Sequence, residues 1–374
     1  MLRVLGVVAV TGLTVADRCH ARRLEEMPVY RLPGLFSERG WLHVAAPGQL
    51  AGPRFARRLQ RLLVTLLVYD MEPVGKSFSG NVVDELESPW GRLLYLEAPG
   101  GVAADAVLRR GPGGLRRRML ELLPLIPRPV VAIDFSLAWS HLPSEARSLR
   151  KQVGAALGVL RAYLWDAHLL LASLSPGLLE WLRGFLGRAL VQRSWLPADE
   201  ALMLRGYRRI ILLDPSAEEP LTPRDAMEAD AFILGGIVDR MPRPGATRRL
   251  SLRGFYEARR LVLRGETHGV PNRLNMLVEI LLRARYIHCG DLEKAIIEAM
   301  APRDVRLRAV VEISRWLRGR RAVVPWSLYC ELRSWLPLTP RDFVKAVRMA
   351  GGEPPQGQPE CGAQQRPNTS WGQR

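Results

Sequence analysis

Cysteine and histidine are scarce in this sequence of 374 residues, which contains four cysteines and six histidines. The cysteines are far apart, and no CxxC or Cys/His spacing typical of a zinc site is present. The histidines do not cluster, so we expect no metal site. Four separated thiols are typical of a protein from the reducing cytoplasm. The cysteines are Cys19, Cys289, Cys330 and Cys361.

Several catalytic motifs are also missing. The sequence has no P-loop, no GxGxxG after a strand, no GxSxG and no HExxH. Each motif places a specific group at a strand or helix end, and its chemistry depends on that placement. Nucleotide hydrolysis, hydride transfer, serine hydrolysis and zinc hydrolysis therefore lack a basis in the sequence.

No apolar run reaches the length of about 20 residues that a membrane-spanning helix needs. The opening run from Val4 to Val15 follows a single Arg and could be a weak signal peptide. Its Val and Thr content and the interruptions at Gly6 and Gly12 favour a buried strand and turn instead. We therefore predict a cytoplasmic protein without a membrane partner.

Lysine is nearly absent, whereas arginine is abundant. Lys and Arg together number 54 against 37 Asp and Glu, which gives a net charge of +17. A GC-rich genome explains the preference for Arg over Lys, but the net charge still calls for a polyanionic partner. Nucleic acid is the first choice and an anionic membrane surface the second. Residues 239–265 carry eight Arg against Asp239 and Glu257.

Strands alternate with helices from Pro129 onwards, which predicts an α/β domain with a largely parallel sheet. Helices are predicted from Ser144 to about Leu160, from Pro176 to about Leu186 and from Arg273 to about Arg285. Predicted strands occupy residues 130–135, 169–174, 209–214 and 231–234. The predicted domains are an α+β N-terminal accessory, RNA-binding domain (1–128), the α/β domain (129–288), a small helical RNA-binding domain (289–350) and a disordered tail (351–374).

Two glycine-bearing segments are candidates for a ligand site. Gly235-Gly236 ends a predicted strand, and Asp239 follows three residues later. Ligands of parallel sheets bind beyond the carboxyl ends of strands, and glycine allows a close approach to the backbone. The loop at residues 269–275, GVPNRLN, precedes an amphipathic helix. Taken alone, each segment is better explained as an ordinary structural turn, the second with Asn272 as a helix cap.

The order of these segments resembles the tRNA position-9 N1-methyltransferases. The resemblance lies in FILGGIVDR (Phe232 to Arg240) followed by NMLVEILL (Asn275 to Leu282). It implies the SPOUT class, whose parallel sheet ends in a C-terminal trefoil knot that binds S-adenosyl-L-methionine. Three further stretches agree with this family: residues 132–136 with 144–152, residues 211–219 as in its archaeal branch, and the GVPNR loop at 269–273.

The resemblance also implies residue roles. Asp239 corresponds to the acidic residue usually proposed as the general base, although Met241 stands where many eukaryotic members have Asn. The implied cofactor-binding residues are Ser173, Leu174, Gly235, Gly236, Ile237, Gly269, Val270, Pro271, Asn272 and Asn275. The expected RNA-binding residues are Arg240, Arg243, Arg248 and Arg249.

The predicted activity is methylation of N1 of adenine at position 9 of tRNA, with guanine at position 9 as a further candidate. We expect a monomer. The alternative is a non-catalytic basic RNA-binding protein on a SPOUT-like domain, which the intact GGIVD and GVPNR segments disfavour. A Rossmann dehydrogenase would need a glycine-rich fingerprint after the first strand, and residues 133–137 have none.

Overall fold

The computed structural model describes residues 15–48, 50–75, 77–237, 245, 247–319, 321–359 and 361. The predicted opening strand lies almost wholly outside these residues. Among the described residues, no helix has the length and apolar character needed to cross a membrane.

The N-terminal part contains a five-stranded mixed sheet, in the order β2-β5-β1-β4-β3, which packs against the apolar helix α3. Its core joins Leu59, Leu63 and Leu66 of α3 to Leu93 and Tyr95 of the sheet. The elements are α1 (Val15–Glu26), α2 (Leu32–Ser37), β1 (His43–Ala45), α3 (Arg58–Tyr69), β2 (Met71–Val74), β3 (Ser79–Ser88), β4 (Gly91–Ala103), β5 (Ala106–Arg110) and α4 (Leu115–Leu122).

The central part is a six-stranded sheet in which every named pair is parallel, in the order β11-β9-β10-β6-β7-β8. The predicted strands and helices of this part are confirmed, with ends shifted by a few residues. The elements are β6 (Val130–Asp134), α5 (Pro143–Leu160), β7 (Leu169–Ala172), α6 (Pro176–Leu186), β8 (Gln192–Arg193), α7 (Ala198–Leu204), β9 (Ile210–Leu213), α8 (Pro223–Glu228), β10 (Ala231–Gly235), β11 (Glu257–Arg259) and α9 (Leu274–Tyr286).

The strand order places a topological switch beside β10. The chain moves outward from β6 to β7 and β8, then crosses over to β9 and inserts β10 between β9 and β6. In the register of β10 and β6, Gly235 is paired with Asp134. The carboxyl ends of three strands therefore meet at one edge, which is where open parallel sheets bind ligands.

In the described part of the chain, four further helices follow the central sheet: α10 (Leu292–Ala299), α11 (Pro302–Leu317), α12 (Trp326–Arg333) and α13 (Pro340–Met349). They share one hydrophobic core with the sheet, because Val305 and Ile313 of α11 belong to the same buried cluster as Val278 of α9 and Phe232 of β10. The helices are thus packed on the α/β part by apolar burial.

The structure differs from the expected disorder at residues 351–359 and 361. Gly352 N donates to Val347 O at 3.0 Å, and Trp326 Nε1 donates to Gln356 O at 2.9 Å. Glu353 pairs with Val323 in a parallel bridge. Backbone pairing and a disulfide hold this segment in place. Its Gly- and Pro-rich composition alone does not indicate these contacts. Residues 360 and 362–374 lie outside the described part of the chain.

The expectation of four separate thiols is wrong. Cys19 is bonded to Cys289, and Cys330 to Cys361. Folding brings the first pair together across 270 residues because α1 docks on α9. Arg285 Nε and Nη2 of α9 each donate to the Glu26 carboxylate of α1 at 2.6 Å. The Cys19–Cys289 bond depends on this contact between α1 and α9, so the spacing of the cysteines in the sequence does not indicate it.

Thiol titration of the denatured protein without reductant should detect none of the four cysteines. Cys289→Ser should leave one reactive thiol, from Cys19, and should lower the free energy of unfolding by about 2–4 kcal/mol, since it removes a cross-link between distant segments. Cys361→Ser is the matched control, because its lost bridge closes a loop of only 31 residues. Four reactive thiols in the wild type would contradict the pairing.

His168 is a buried histidine at the base of the parallel sheet. Its Nδ1 lies 2.8 Å from Pro129 O, and burial lowers the pKa of His168 to about 4. Because the unfolded chain binds a proton near pH 6.5, protonation favours unfolding. The stability that neutral His168 provides is therefore complete above pH 6.5 and is lost as the pH falls towards 4.

His168→Gln, which retains a donor towards Pro129 O, should flatten the pH dependence of stability. Between pH 6.5 and 4, the wild type should lose up to about 1.4 kcal/mol per pH unit more than the variant. Denaturant unfolding at several pH values measures both slopes. Parallel curves over this window would rule out His168 as a source of the acid sensitivity.

Candidate functional site

A cleft of about 1220 Å³ lies at the carboxyl ends of β9 and β10. Helix α5 and the start of α11 form its walls, and the loop at residues 267–275 runs along it. The structure brings seven of the predicted cofactor-binding residues into this cleft. They are Gly235, Ile237, Gly269, Val270, Pro271, Asn272 and Asn275.

The buried carboxylate of Asp134, at the end of β6, organises the adjacent edge of the sheet. Its Oδ2 accepts hydrogen bonds from Ser173 Oγ at 2.8 Å and from Ala198 N at 2.9 Å, and its Oδ1 accepts one from Ser136 N at 2.9 Å. Its backbone oxygen accepts a bond from Gly236 N at 2.8 Å. Asp134 therefore joins the ends of β6, β7 and β10 and the start of α7.

The glycine at position 236 is required by this close approach. A Cβ at that position would lie 2.7 Å from the Asp134 backbone oxygen, inside van der Waals contact. At Gly235 the nearest atom to a built Cβ is the flexible end of Ile237, at 3.0 Å. Gly236 thus fixes the turn after β10, whereas Gly235 and Ile237 face the cleft.

The loop at residues 267–275 is held by two neighbouring helices. Gly269 has φ +80°, and a Cβ there would lie 2.7 Å from Arg308 Cα of α11. Arg308 is itself buried, and its Nη1 donates to Leu263 O at 2.6 Å. On the other side, Leu274 N donates to Gln152 Oε1 of α5 at 3.1 Å. The loop is fixed between α5 and α11.

Three predicted cofactor-binding residues do not line the cleft. Ser173 and Leu174 follow β7, where their backbone amides donate to Leu196 O and Ser194 O. Gly236 is buried under the turn beside Asp134. These residues support the sheet edge from which the cleft is built.

Several residues that line the cleft were not among the predicted site residues. Asp214 and Ser216 follow β9, and the Ser216 amide donates to Asp214 Oδ1 at 2.9 Å. Both residues lie in the turn within residues 211–219 that resembles the archaeal branch of the family, and this resemblance is the feature of the sequence that could have indicated them. Arg303 and Asp304 come from α11, and no local pattern indicated that this helix reaches the cleft.

The predicted general base Asp239 lies outside the described residues, as do Arg240 and Arg243. The backbone of Arg248 belongs to a short 3-10 turn (Thr247–Arg249), but its side chain lies outside the description. Arg249 is exposed.

Some of the arginines between residues 239 and 265 form ion pairs within the protein. Arg259 pairs with Asp225 at 3.3 Å, and Arg264 pairs with Glu293 at 2.9 Å. Arg264 also lies over the Trp335 ring, 3.9 Å from its centroid. The mouth of the cleft has its own exposed cations, which are Lys151, Arg273 and Arg303.

A protein-family model described as "Protein arginine N-methyltransferase SFM1-like" matches residues 168–266, which is less than half of the chain. Trm10 of Sulfolobus acidocaldarius, crystallised with S-adenosylhomocysteine, has a similar fold. The match has a TM-score of 0.62 and 18% sequence identity and covers 87% of this chain and 100% of that one. At this identity the likeness concerns the fold.

Two curated relatives are more similar in sequence. The tRNA (guanine(9)-/adenine(9)-N1)-methyltransferase of Thermococcus kodakarensis is 31% identical over 232 residues, which are 59% of this chain and 62% of the relative. The tRNA (adenine(9)-N1)-methyltransferase of Sulfolobus acidocaldarius is 30% identical over 210 residues, which are 52% of this chain and 67% of the relative. With this similarity and the matching α/β fold, the chain belongs to the tRNA position-9 N1-methyltransferase family of the SPOUT class.

Proposed function

We propose that this protein transfers a methyl group from S-adenosyl-L-methionine to N1 of adenine at position 9 of tRNA, with guanine at position 9 as a second substrate. The observation that carries the proposal is the glycine-lined cleft, formed by the same two segments that resemble the family. The aligned region spans 62% of the first relative, so the activity of the whole protein is a proposal.

The residues of the cleft fit the cofactor. Gly235 leaves room beside the backbone that a larger side chain would fill, and Gly269 lets the loop at residues 267–275 pack directly on α11. The volume of about 1220 Å³ exceeds that of a site for one small ligand, so a target nucleotide fits beside the cofactor. When bound, S-adenosyl-L-methionine supplies an electrophilic methyl group. Ile237, Val270 and Leu277 would contact its apolar parts.

We also propose that the chain forms a trefoil knot in which residues 267–275 pass beside the turn after β10. The proximity of these two segments at one sheet edge supports this arrangement. The three predicted domain ranges 1–128, 129–288 and 289–350, a monomeric state and a cytoplasmic location belong to the same proposal. Disulfides are rare in cytoplasmic proteins except those of hyperthermophiles, so with two disulfides the proposed cytoplasmic location requires a source of that kind.

The charge distribution supports tRNA as the partner. The net charge of +17 would be attracted to phosphate, and exposed Lys151, Arg273 and Arg303 at the mouth of the cleft would contact the backbone beside the target base. Arg240, Arg243, Arg248 and Arg249 are proposed to extend this surface.

The chemistry depends on the purine. Guanine N1 carries a proton, so as N1 bonds to the methyl carbon and the carbon–sulfur bond breaks, the Asp239 carboxylate would accept that proton. Adenine N1 has a free lone pair, and its methylation creates a cation. On adenine, Asp239 would stabilise positive charge or accept a proton later.

The similarity to the arginine methyltransferase family model favours a second candidate, methylation of a protein arginine. A non-catalytic RNA-binding protein is the third. Mass spectrometry of tRNA oligonucleotide fragments and of cellular protein, after incubation with the methyl donor, distinguishes all three. Methyladenosine or methylguanosine at position 9 supports the proposal. Methylated protein alone, or no product despite tRNA binding, would contradict it.

Gly269→Ala should weaken S-adenosyl-L-methionine binding at least tenfold, because the added Cβ would push the loop away from Arg308. Gly265→Ala is a matched control, since Gly265 has φ +81° but no atom within 4 Å of a built Cβ. Both variants place an alanine at a positive φ and so share the same backbone strain. A difference in cofactor affinity measured by calorimetry therefore reports the displacement of the loop. Equal affinity in the two variants would place the cofactor elsewhere.

Asp239→Asn should separate the two purines. Loss of a general base typically lowers the rate ~10²–10⁴-fold, and this loss is expected on a guanine-9 tRNA. The loss on an adenine-9 tRNA should be clearly smaller, because attack by N1 needs no deprotonation. Single-turnover rates at saturating cofactor and several pH values measure both. Equal losses of rate on the two tRNAs, together with weaker cofactor binding, would mean that Asp239 orders the cofactor loop and is not the general base.

A further inference from the structure

A second cavity lies in the N-terminal part of the chain. It has a volume of about 360 Å³ and opens between α3, the segment before it and strand β4. We call it the N-terminal pocket. The side chains that matter for its chemistry are those of Arg58, Arg61, Phe78, Tyr95 and Glu97.

Arg61 is the unusual group in this pocket. It is 8% exposed, and its Nε has no hydrogen-bond partner. Its Nη2 donates to the backbone oxygen of Leu50 at 3.0 Å. Among the described residues, no carboxylate lies within ion-pair distance of Arg61. A buried guanidinium without an anion is costly, because burial removes its hydration and the bond to Leu50 O replaces only part of it.

The neighbouring charges leave the pocket positive. Glu97 is the one carboxylate among the described lining residues, and it is paired with Arg58 Nε at 2.8 Å. Burial lowers the pKa of Arg61, and so do the nearby cations Arg58 and Arg54, while Tyr95 and the Glu97 carboxylate oppose the shift without cancelling it. The environment therefore disfavours the positive charge that Arg61 must carry, and an anion bound in the pocket beside its guanidinium would relieve this cost.

The shape of the pocket favours a nucleotide over a bare ion. A cavity of this volume has the size of a small-molecule site. Phe78 lines the pocket and is half-buried, and an aromatic side chain at such a wall can stack with a base. Arginine binds phosphate oxygens through two parallel hydrogen bonds.

The pocket is tied to the rest of the molecule through α3. Gln60, next to Arg61, donates through Nε2 to Arg161 O at 3.0 Å and to Leu164 O at 2.6 Å, just beyond the end of α5. Helix α5 also contributes Lys151 and Gln152 to the cleft. A ligand held at Arg61 is therefore positioned relative to the cleft.

We propose that the N-terminal pocket binds a phosphate of RNA at Arg61 and Arg58, with an adjacent base stacked on Phe78. The proposal relies on the RNA partner of the proposed function and adds a second, distant contact for it. The target purine remains in the cleft.

The test uses the full-length protein and a short, fluorescently labelled single-stranded RNA without terminal phosphates, so that only internal phosphodiesters are present. Anisotropy at one fixed salt concentration measures its affinity, with inorganic phosphate and adenosine 5′-monophosphate as competitors. Arg61→Gln should weaken RNA binding about ten- to hundredfold, the range for a lost hydrogen bond to a charged group.

Arg109→Ala is the matched control, because it removes the same charge from an exposed side chain that pairs with Glu72 outside the pocket. It should change affinity less than about threefold. Phe78→Ala should weaken binding at least about fivefold through lost stacking, and it tests the pocket even if Arg61→Gln misfolds. Thermal unfolding checks the fold of each variant.

Equal losses in Arg61→Gln and Arg109→Ala, or in Phe78→Ala and Arg109→Ala, would overturn the proposal. So would a wild type that binds the mononucleotide or phosphate but not the RNA, which would indicate a free-nucleotide site. Cofactor affinity measured in the same variants should stay unchanged. A failure of the methyltransferase proposal would instead appear as absent cofactor binding in the wild type.

Discussion

The carboxylate of Asp134 accepts hydrogen bonds from Ser136, Ser173 and Ala198, while its backbone oxygen accepts one from Gly236. A buried carboxylate is stable only when its oxygens are fully bonded, so these segments must meet in one arrangement. That arrangement places the turn after β10 against the end of β6. The opening of the cleft beside Gly235 follows from it.

The opposite wall of the cleft depends on the C-terminal helices. Gly269 packs against the backbone of α11, and Arg308 is held by Leu263 O and Glu312. The hydrophobic core runs from the sheet through α9 into α11 without interruption. The C-terminal segment, expected from the sequence to contact RNA, also shapes the candidate cofactor loop. A bound cofactor would therefore be sensitive to the packing of α11.

Charge has two uses in this molecule. Some arginines are structural, such as Arg285, which donates to Glu26 and to two backbone oxygens of the α8 region. Other cations, such as Lys151 and Arg303 at the cleft, are exposed. Arg61 belongs to neither group, since it is buried without a carboxylate. The net charge alone could not distinguish these roles, because each depends on which groups lie nearby.

The sequence by itself determined the elements of the central sheet. Runs such as Val130–Asp134 and Ala231–Gly235 are almost continuously apolar. Such a composition predicts strands that are buried on both faces of a parallel sheet. It also indicated both glycine segments, because glycine marks positions where the backbone must be approached closely.

Only the tertiary structure decided which residues share the cleft and which cysteines pair. Arg303 reaches the cleft through the packing of α11, and Cys19 meets Cys289 through the docking of α1. Ser173 is turned away by its bond to Asp134. These outcomes depend on contacts between residues far apart in the chain, and local periodicity and spacing carry no information about such contacts.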